Sequence, residues 1–525
     1  MISVPERFTQ IAEGSVRPLD WRLDISFTRQ LSPDIQWFML NQSLLDSGDL
    51  LSLSDTQSIQ PWDAYDYKNY SSKLISVDVE NSIEFPYSIQ SAIADLVIDN
   101  TNGEFTYGGN SEVAQHILPS RPVRIFMGFK GGGVVPVFVG LTQDLPDYSG
   151  INDSRMTWSA MDFLTQLTGQ SLENSIMLQN KRTDEVLDYV FKQLGLDDSM
   201  YSLQPGQNDI PFLYAESGAN VGDILRKLIQ AEDGKLWLSE TGVIQFEPRS
   251  SELGKDSVMD IDTSNIVEYS PSRASGIVNR VIINSSVRKV QENQEIADID
   301  NANGYDQSSD NDSWRVQENG TLEKWVNFED PIWSANVNPA LNGVTTSSYF
   351  NAKTTTGATV SDNVTITGTL FGQSVKLVIS NANNYPISVS KLVLFGEPAK
   401  VVEEIKYDQL DNDSIEKFGT HELKIEDNNY FGSRDDADAF ARHILSTRST
   451  YTPTIKVVIK GNPALQLGDV VTLRYKAGGK YQVVKKKESL SQRGLRTELT
   501  LERFEELEPF ILDQSLLNST DVLSY

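Results

Sequence analysis

The chain has 525 residues and a mass of 58.6 kDa, which at about 150 residues per domain predicts roughly three or four domains. Its 45 basic and 73 acidic side chains give a net charge of −28, which argues against a surface that grips nucleic-acid phosphates or anionic lipid. With no cysteine and only three histidines, the sequence excludes disulfides, thiolate nucleophiles and cysteine-containing zinc sites.

The sequence predicts no targeting signal. Met1 to Glu6 lack a basic segment followed by an apolar stretch. No run of residues approaches the ~18 apolar residues of a membrane-spanning helix. We therefore expect a protein made in the cytosol and without a membrane anchor.

Residues 1–157 are predicted to form a first β-barrel-like domain with an N-terminal arm. Apolar and polar side chains alternate, as around Leu23 and Ile25, and turn residues separate the alternating runs. Asn100 to Gly103 is typical of a tight turn with a positive φ, and Lys130 to Gly133 indicates a hairpin. This many antiparallel strands in one block favour a small barrel or sandwich.

From Trp158 the apolar period changes, and residues 158–268 are predicted to form an α+β domain. Three helices are predicted, over Trp158 to Leu167, Asp184 to Leu194 and Val221 to Ala231. Thr183 and Asn220 are the predicted N-caps of the second and third helices, and Gly234 the predicted end of the third. A hairpin from Lys235 to Arg249 follows and is placed to cover the apolar face of the third helix.

The remaining sequence divides by composition. Residues 269–313 are predicted to be return strands and a polar linker, and residues 314–398, rich in Thr, Val, Asn and Gly, an inserted β-sandwich. Residues 399–510 are predicted to form a second β-barrel-like domain with one helix, Asp435 to Leu445, capped by Ser433, and with strand-like sequence from Val401 to Ile425. Residues 511–525 are the predicted C-terminal tail. The fold prediction is a mainly β, multi-domain protein with α+β elements.

Patterns for nucleophilic, phosphate and zinc chemistry are incomplete. His421-Glu422 begins like a zinc-protease helix, but Ile425 stands where the second histidine is required. Gly131 to Gly133 lacks the lysine and hydroxyl of a phosphate loop, which favours a hairpin tip. Around Ser171 the closing glycine of a nucleophile elbow is replaced by Glu173, and few histidines are present to act as a base.

Acidic and aromatic clusters leave alternatives open. Counting carboxylates does not exclude a glycosidase pair, but the acidic residues that flank Phe504 and Leu507 are typical of a solvated helix face; they are Glu502, Glu505, Glu506 and Glu508. Asp298 to Asp300 begins like a calcium loop that Ala302 and Asn303 break, which favours a disordered acidic loop. The aromatic loop is suited to sugar stacking, to packing on a neighbouring subunit or to burial against its own domain; its residues are Trp62, Tyr65, Tyr67 and Tyr70.

Three stretches, in this order, resemble the tail-tip hub proteins of siphophages, which are also known as minor tail proteins and are related to myophage baseplate hubs. The first runs from Ala92 to Asp147 and contains Leu118-Pro119-Ser120-Arg121-Pro122-Val123. The second begins with the helix Val221 to Glu232 and continues through Gly234-Lys235-Leu236-Trp237-Leu238 to Val281. The third contains Phe418-Gly419, Leu467-Gly468-Asp469-Val470-Val471 and the strand Thr497 to Glu502.

The resemblance implies a homotrimeric structural protein of the virion tail tip, assembled in the bacterial host cytoplasm and acting in genome ejection. Two barrel-like hub domains per subunit would form a pseudo-sixfold ring that joins the tail tube to the threefold tip and surrounds the DNA path. An acidic bore would repel the DNA. The implied partners are the distal tail protein ring, the C-terminus of the tape-measure protein and distal fibre or receptor-binding proteins.

A hub of this kind is not an enzyme, and the sequence predicts no cofactor and no catalytic, cofactor-binding or metal-binding residue. The alternative function is that of a tail-associated host-carbohydrate-binding or receptor-binding protein. In that case residues 314–398 or the aromatic loop would hold the ligand.

Overall fold

The computed structural model describes residues 1–14, 16–28, 65–83, 89–148, 154–252, 255–271, 276–300, 314–336, 350–354, 356–360, 362–426, 428–450 and 454–503. Strands in several sheets predominate, with short helices packed beside them. The predicted mainly β, multi-domain architecture is therefore confirmed.

The amino-terminal part of the chain is almost entirely strand. Its elements are α1 (Glu6–Glu13), β1 (Leu19–Ile25), β2 (Lys68–Asn69), β3 (Leu74–Ser82), β4 (Ile93–Asp99), β5 (Pro122–Phe129), β6 (Gly133–Thr142), β7 (Asp147–Tyr148) and β8 (Arg155–Asp162). The glycine-rich hairpin is confirmed between β5 and β6, and Gly103 has the predicted positive φ, 68°. The helix predicted from Trp158 is wrong over its first turn, because Trp158 lies within β8 and pairs with Leu96 of β4.

The α+β region follows directly. Its elements are α2 (Phe163–Thr168), β9 (Ile176–Arg182), α3 (Thr183–Gln193), β10 (Tyr201–Leu203), β11 (Asp209–Ala215), α4 (Val221–Glu232), β12 (Lys235–Leu238) and β13 (Ile244–Glu247). The Asn220 side chain caps α4 as predicted, accepting from the backbone N–H of Asp223. Two cap assignments are wrong by one residue: Thr183 is the first residue of α3, and Asp233, with φ 54°, ends α4 in place of Gly234.

The next part of the chain adds three strands to the body and then builds the inserted sandwich. The strands added to the body are β14 (Met259–Ile261), β15 (Ile266–Pro271) and β16 (Arg280–Val290). The strands that follow are β17 (Gln294–Asp300), β18 (Arg315–Val316), β19 (Thr321–Asn327), β20 (Ile332–Asn336), β21 (Phe350–Thr354), β22 (Thr359–Val360), β23 (Val364–Leu370), β24 (Ser374–Asn381) and β25 (Ile387–Leu410). One sheet, β19-β24-β23, and the sheet on the first half of β25 bury a shared apolar core, including Leu377 and Leu392. The second half of β25 pairs with β16 and so ties the sandwich to the body.

The carboxyl-terminal part returns to the body. Its elements are α5 (Asn412–Phe418), β26 (Glu422–Ile425), α6 (Arg434–Arg448), β27 (Ile455–Lys460), β28 (Val470–Leu473), β29 (Gly479–Ser491) and β30 (Gly494–Arg503). The helix capped by Ser433 is confirmed. The strand-like prediction over Val401 to Ile425 is wrong at α5, which the Asp411 side chain caps and Gly419, with φ 79°, ends.

One 14-stranded sheet joins the two ends of the chain, in the order β15-β27-β30-β29-β3-β4-β8-β6-β5-β1-β2, with β7, β14 and β28 attached. We call β1 to β8 the first lobe and β14, β15 and β27 to β30 the second lobe. Each lobe has its own apolar core, one around Trp158 and Phe105, the other around Val457 and Leu499. Within the described residues the sheet stays open, so the two barrel-like units take the form of lobes of one sheet.

Candidate functional site

The junction between the two lobes is a direct strand pairing. β29 lies antiparallel to β3, with a register that runs from Lys485 opposite Ser82 to Leu490 opposite Val77. Leu490 and Leu495, from the second lobe, are buried in the core of the first. Because both backbone hydrogen bonds and apolar burial cross the junction, the lobes are held as one body.

A buried ionic cluster lies behind this junction. Lys486 of β29 is 3% exposed, and its ammonium lies 3.3 Å from the Glu240 carboxylate and 3.5 Å from that of Glu488. Glu240 comes from the hairpin between β12 and β13, and it also accepts from the backbone N–H of Leu467 at 3.1 Å. The Thr497 hydroxyl donates to Glu488 at 2.7 Å. The cluster therefore ties the α+β region to the second lobe.

Burial and charge act in opposite directions within this cluster. Burial lowers the pKa of Lys486, but Glu240 and Glu488 outweigh it and hold that pKa above its usual range, so the lysine is charged. Burial raises the pKa of Glu488 against the pull of Lys486. The ammonium of Lys486 is thus the counter-charge for two buried carboxyl groups, and its removal would leave both without one.

Two further buried carboxylates connect neighbouring elements. Asp162, the last residue of β8 and the N-cap of α2, accepts from the backbone N–H of Ala92 at 2.7 Å and of Leu164 at 3.1 Å; burial raises its pKa to about 7 while these donors lower it. Glu232, in the last turn of α4, accepts from the Thr183 hydroxyl at 2.8 Å. It also accepts from the backbone N–H groups that follow Gly206, those of Gln207 and Asn208. Both carboxylates satisfy backbone donors that are shut off from water.

The sandwich docks on the body through a small contact. Gly372, with φ 73°, lies against the ring of Tyr214 in β11. Nearby, Arg288 of β16 donates to Asp330 at 2.7 Å and to the carbonyl of Ala399 at 2.8 Å. A cleft of about 180 Å³ beside Tyr214 and Arg288 is left between the surfaces.

Replacing Gly372 by alanine is expected to loosen this contact. The added Cβ would lie 2.4 Å from a ring carbon of Tyr214, and the positive φ adds backbone strain. We expect a loss of about 1–3 kcal/mol and faster hydrogen exchange in the turn between β23 and β24, measured by mass spectrometry. Gly218→Ala is the matched control, because Gly218 has φ 88° and no atom within 4 Å of the added Cβ. Equal effects of the two substitutions would show that the docking contact contributes nothing.

The second lobe ends in a short edge strand, β15. Among the described strands only β27 pairs with it, and Val267 is 46% exposed. A bulge between Ile266 and Glu268, the charge of Glu268 and the terminal Pro271 disfavour the addition of another strand. Beside the edge, Lys476 lies 5.1 Å from the ring centre of Tyr269. The edge is thus suited to contact through side chains.

The histidines do not converge on a site. His421 precedes β26, and its ring nitrogen lies 3.1 Å from the Phe418 carbonyl, so the helix that a zinc-protease pattern needs is absent at His421-Glu422. His443 of α6 lies 3.2 Å from Asp233. Ser171 forms an isolated bridge with Asn220. In the part of the chain that the structure describes, no group of three His, Asp or Glu side chains could hold a metal ion, and no helix is long and apolar enough to cross a membrane.

Two acidic predictions are wrong in their local structure. Asp298 to Asp300 belongs to β17 and pairs with β25, so the predicted disordered loop is a strand there. Glu502 lies in β30, not in a helix, and accepts from Arg448 at 3.0 Å. The remaining tail residues that were predicted to form the helix face, Glu505, Glu506 and Glu508, lie outside the described residues, as do Ala302 and Asn303.

The aromatic loop is partly described. Tyr70 is buried edge-on against Phe27 at 5.4 Å, in the core of the first lobe. Tyr67 lies 3.8 Å below the guanidinium of Arg124. Trp62 lies outside the described residues. For Tyr70 the reading as burial against its own domain is confirmed.

Sequence reasoning missed the ionic cluster, although a signal was present. In β29, Val484, Lys486, Glu488 and Leu490 alternate with half-exposed residues, and this places both charged side chains on the inward face of the strand. Glu240, on a distant hairpin, supplies the third member. Two opposite charges at inward positions, between the apolar Val484 and Leu490, predict a buried ion pair.

No protein-family model and no curated protein matches the chain. Among solved structures, the chain is similar to the 43 kDa tail protein of prophage MuSo2 from Shewanella oneidensis, with a TM-score of 0.43, 12% identity, and coverage of 83% of this chain and 96% of that one. It is also similar to a tail protein from Neisseria meningitidis, with a TM-score of 0.43, 10% identity, and coverage of 84% and 94%.

A third similar structure is a type VI secretion component from E. coli that itself resembles T4 bacteriophage tail proteins; the TM-score is 0.37, the identity 7%, and the coverage 83% of this chain and 74% of that one.

Proposed function

We propose that the chain is the structural hub of a phage tail tip. The observation that carries the proposal is the single sheet through which one subunit presents two β lobes, each with its own core. Three subunits around a threefold axis would place six lobes in a ring. Such a ring matches the symmetry of a sixfold tube on one side and of a threefold tip on the other. It could therefore join the two, which is the role that the resemblance implies.

A ring of this kind needs lobes that do not shift against each other. The β3–β29 pairing, the shared burial of Leu490 and the cluster around Lys486 all oppose such a shift. A rigid subunit loses little conformational entropy when the ring forms. The role is structural, without catalysis or a cofactor.

The charge of the chain supports a path for DNA through the ring. The net charge of −28 disfavours binding of phosphates. On the solvent-exposed face of the sheet, Asp78 of β3 lies directly opposite Asp95 of β4. Like charges in this position destabilise a sheet, so a bore that repels DNA would give the pair a function.

The partners we propose are those of a tail-tip hub: two further copies of the chain, the distal tail protein ring, the tape-measure C-terminus and distal fibre or receptor-binding proteins, all in the virion. The edge strand β15 is our candidate for the contact between copies. Its exposed valine, Val267, and the ring of Tyr269 supply apolar surface next to charged groups, as protein interfaces require.

The oligomeric state tests the proposal. Native mass spectrometry and mass photometry of the full chain, alone and with the distal tail protein, are expected to show a trimer. A cryo-EM map of that trimer is expected to show a negatively charged bore. A monomer under all these conditions, or a neutral or basic bore, would contradict the hub.

Replacing Val267 by arginine is expected to weaken the trimer. The change adds a charge to the proposed contact. We expect the variant trimer to dissociate at a protein concentration at least about tenfold higher than the unsubstituted trimer, as for loss of one interface anchor. Val401→Arg is the matched control, because Val401 is 43% exposed on β25, outside the second lobe. If only the control variant dissociates, the interface lies elsewhere than β15.

A further inference from the structure

The outer face of the sandwich sheet β19-β24-β23 carries two exposed aromatic rings in contact. Trp325 of β19 is 56% exposed and Phe371, just after β23, is 45% exposed. Their ring centres are 5.1 Å apart and their planes are inclined by 44°. On the opposite face of the same strand, Leu322 and Val326 pack on the sandwich core. The two rings are therefore exposed to solvent and do not fill the sandwich core.

Strand register places polar groups beside the rings. Trp325 lies opposite Lys376 of β24, which lies opposite Thr369 of β23. In the next outward row Glu323 and Thr367 flank Val378. The Lys376 ammonium lies 2.9 Å from the Glu323 carboxylate. We call this surface the aromatic platform: Trp325, Phe371, Lys376, Glu323, Thr367 and Thr369.

We propose that the aromatic platform binds a neutral polysaccharide of hexose units. A hexose ring offers apolar C–H groups on its faces and hydroxyls around its rim. Trp325 and Phe371 match the faces, since an exposed ring gives apolar contact area at little entropic cost. The threonine hydroxyls and the ion pair match the rim, because they donate and accept hydrogen bonds. The ligand is neutral because the charges of Lys376 and Glu323 already balance each other.

Size and charge argue against other occupants. Two aromatic side chains supply on the order of 200–300 Å² of contact surface, whereas a stable protein interface needs about 800 Å² from each partner. An anionic polymer would meet the field of a chain with a net charge of −28. A stacked neutral sugar agrees with both the small contact area and the negative charge of the chain, since one or two hexose units cover the pair of rings.

The sheet holds the platform in a fixed arrangement before any ligand binds. β24 pairs with both β19 and β23 over their whole lengths, so the positions of Trp325, Lys376 and Thr369 are set by backbone hydrogen bonds. Phe371 adjoins Gly372, which contacts Tyr214 of the body. The inference goes beyond the proposed hub and does not depend on trimer formation.

The test uses the full chain and three probes: cellohexaose, maltohexaose and an α-mannan hexamer, each in saturation-transfer NMR and calorimetry. At least one is expected to bind and to receive saturation at its ring C–H protons. Trp325→Ala and Phe371→Ala are each expected to weaken binding roughly tenfold. Tyr385→Ala removes an exposed aromatic side chain from the turn between β24 and β25; it is the matched control and is expected to leave the affinity within about twofold.

The outcomes that would overturn the proposal are distinct from those that test the hub. The proposal would be overturned if none of the three probes binds at a concentration of about 10 mM, which is high enough to detect weak carbohydrate binding. Unchanged affinity in the Trp325→Ala variant, or stronger binding of poly(glycerol phosphate) than of any neutral probe, would do the same. Trimer formation by the Trp325→Ala variant shows that the hub proposal stands separately, whatever the sugar result.

Discussion

Replacing Lys486 by methionine is expected to lower the free energy of unfolding by about 3–5 kcal/mol at neutral pH. The substitution keeps most of the side-chain volume but removes the cation that lies between Glu240 and Glu488. Two carboxyls would then be buried without a counter-charge. Urea unfolding together with hydrogen exchange of β28 and β29 measures the effect, and we expect the β3–β29 junction to open first.

The matched control is Lys487→Met, one residue along the same strand. Lys487 is half-exposed on the other face of β29, so its removal is expected to change stability by less than about 0.5 kcal/mol. Equal losses from both substitutions would show that the buried cluster has no special role.

The loss caused by Lys486→Met is expected to depend on pH. Burial raises the pKa of Glu488 in the folded chain above its usual 4.5, so folding favours the neutral form of this group. Its contribution to stability is fully present below the unfolded pKa and is lost as the pH rises through the folded pKa. Removing Lys486 raises the folded pKa further. The variant should therefore be closest to the unsubstituted protein near pH 4.5 and should lose stability toward neutral pH.

Replacing Glu232 by alanine is expected to lower the free energy of unfolding by about 3 kcal/mol or more. The carboxylate is fully buried and accepts three hydrogen bonds, from Thr183, Gln207 and Asn208. Alanine leaves those donors unpaired, at about 1–3 kcal/mol for each group that water does not reach. Hydrogen exchange at residues 206–208 and urea unfolding measure the loss.

Arg226→Ala is the control for Glu232, because Arg226 lies on the same helix with its side chain 57% exposed and pairs with the exposed Asp223. A change within about 0.5 kcal/mol is expected there. If Glu232→Ala is as mild as the control, water must reach the loop after Gly206 and replace the carboxylate.

Local signals in the sequence predicted several elements correctly. Asn220 and Ser433 cap α4 and α6, and the glycine-rich hairpin joins β5 to β6. Each of these features depends on contacts within a few residues, so its physical cause is contained in the local sequence.

Pairing between distant strands overrode other local signals. The apolar residues of Trp158 to Leu167 have helical spacing, yet Trp158 to Met161 pairs with β4 and forms a strand. The polar segment Asp298 to Asp300 is typical of a loop, but it pairs with β25 and therefore forms a strand. The domain boundaries proposed from composition stay predictions. The missed helix α5 is different, because its cap Asp411 and its terminal Gly419 were present in the sequence.

The sequence by itself determined the class of fold, the absence of thiol chemistry, the acidic surface and the order of stretches that resembles phage tail hubs. These depend on composition, on short-range periodicity and on caps. Only the tertiary structure decided that the two ends of the chain share one sheet, that Lys486 lies between carboxylates from two regions, and that Trp325 and Phe371 face solvent side by side. Residues far apart in the sequence meet only when strand register is fixed, and hydrogen bonding across the whole sheet sets that register.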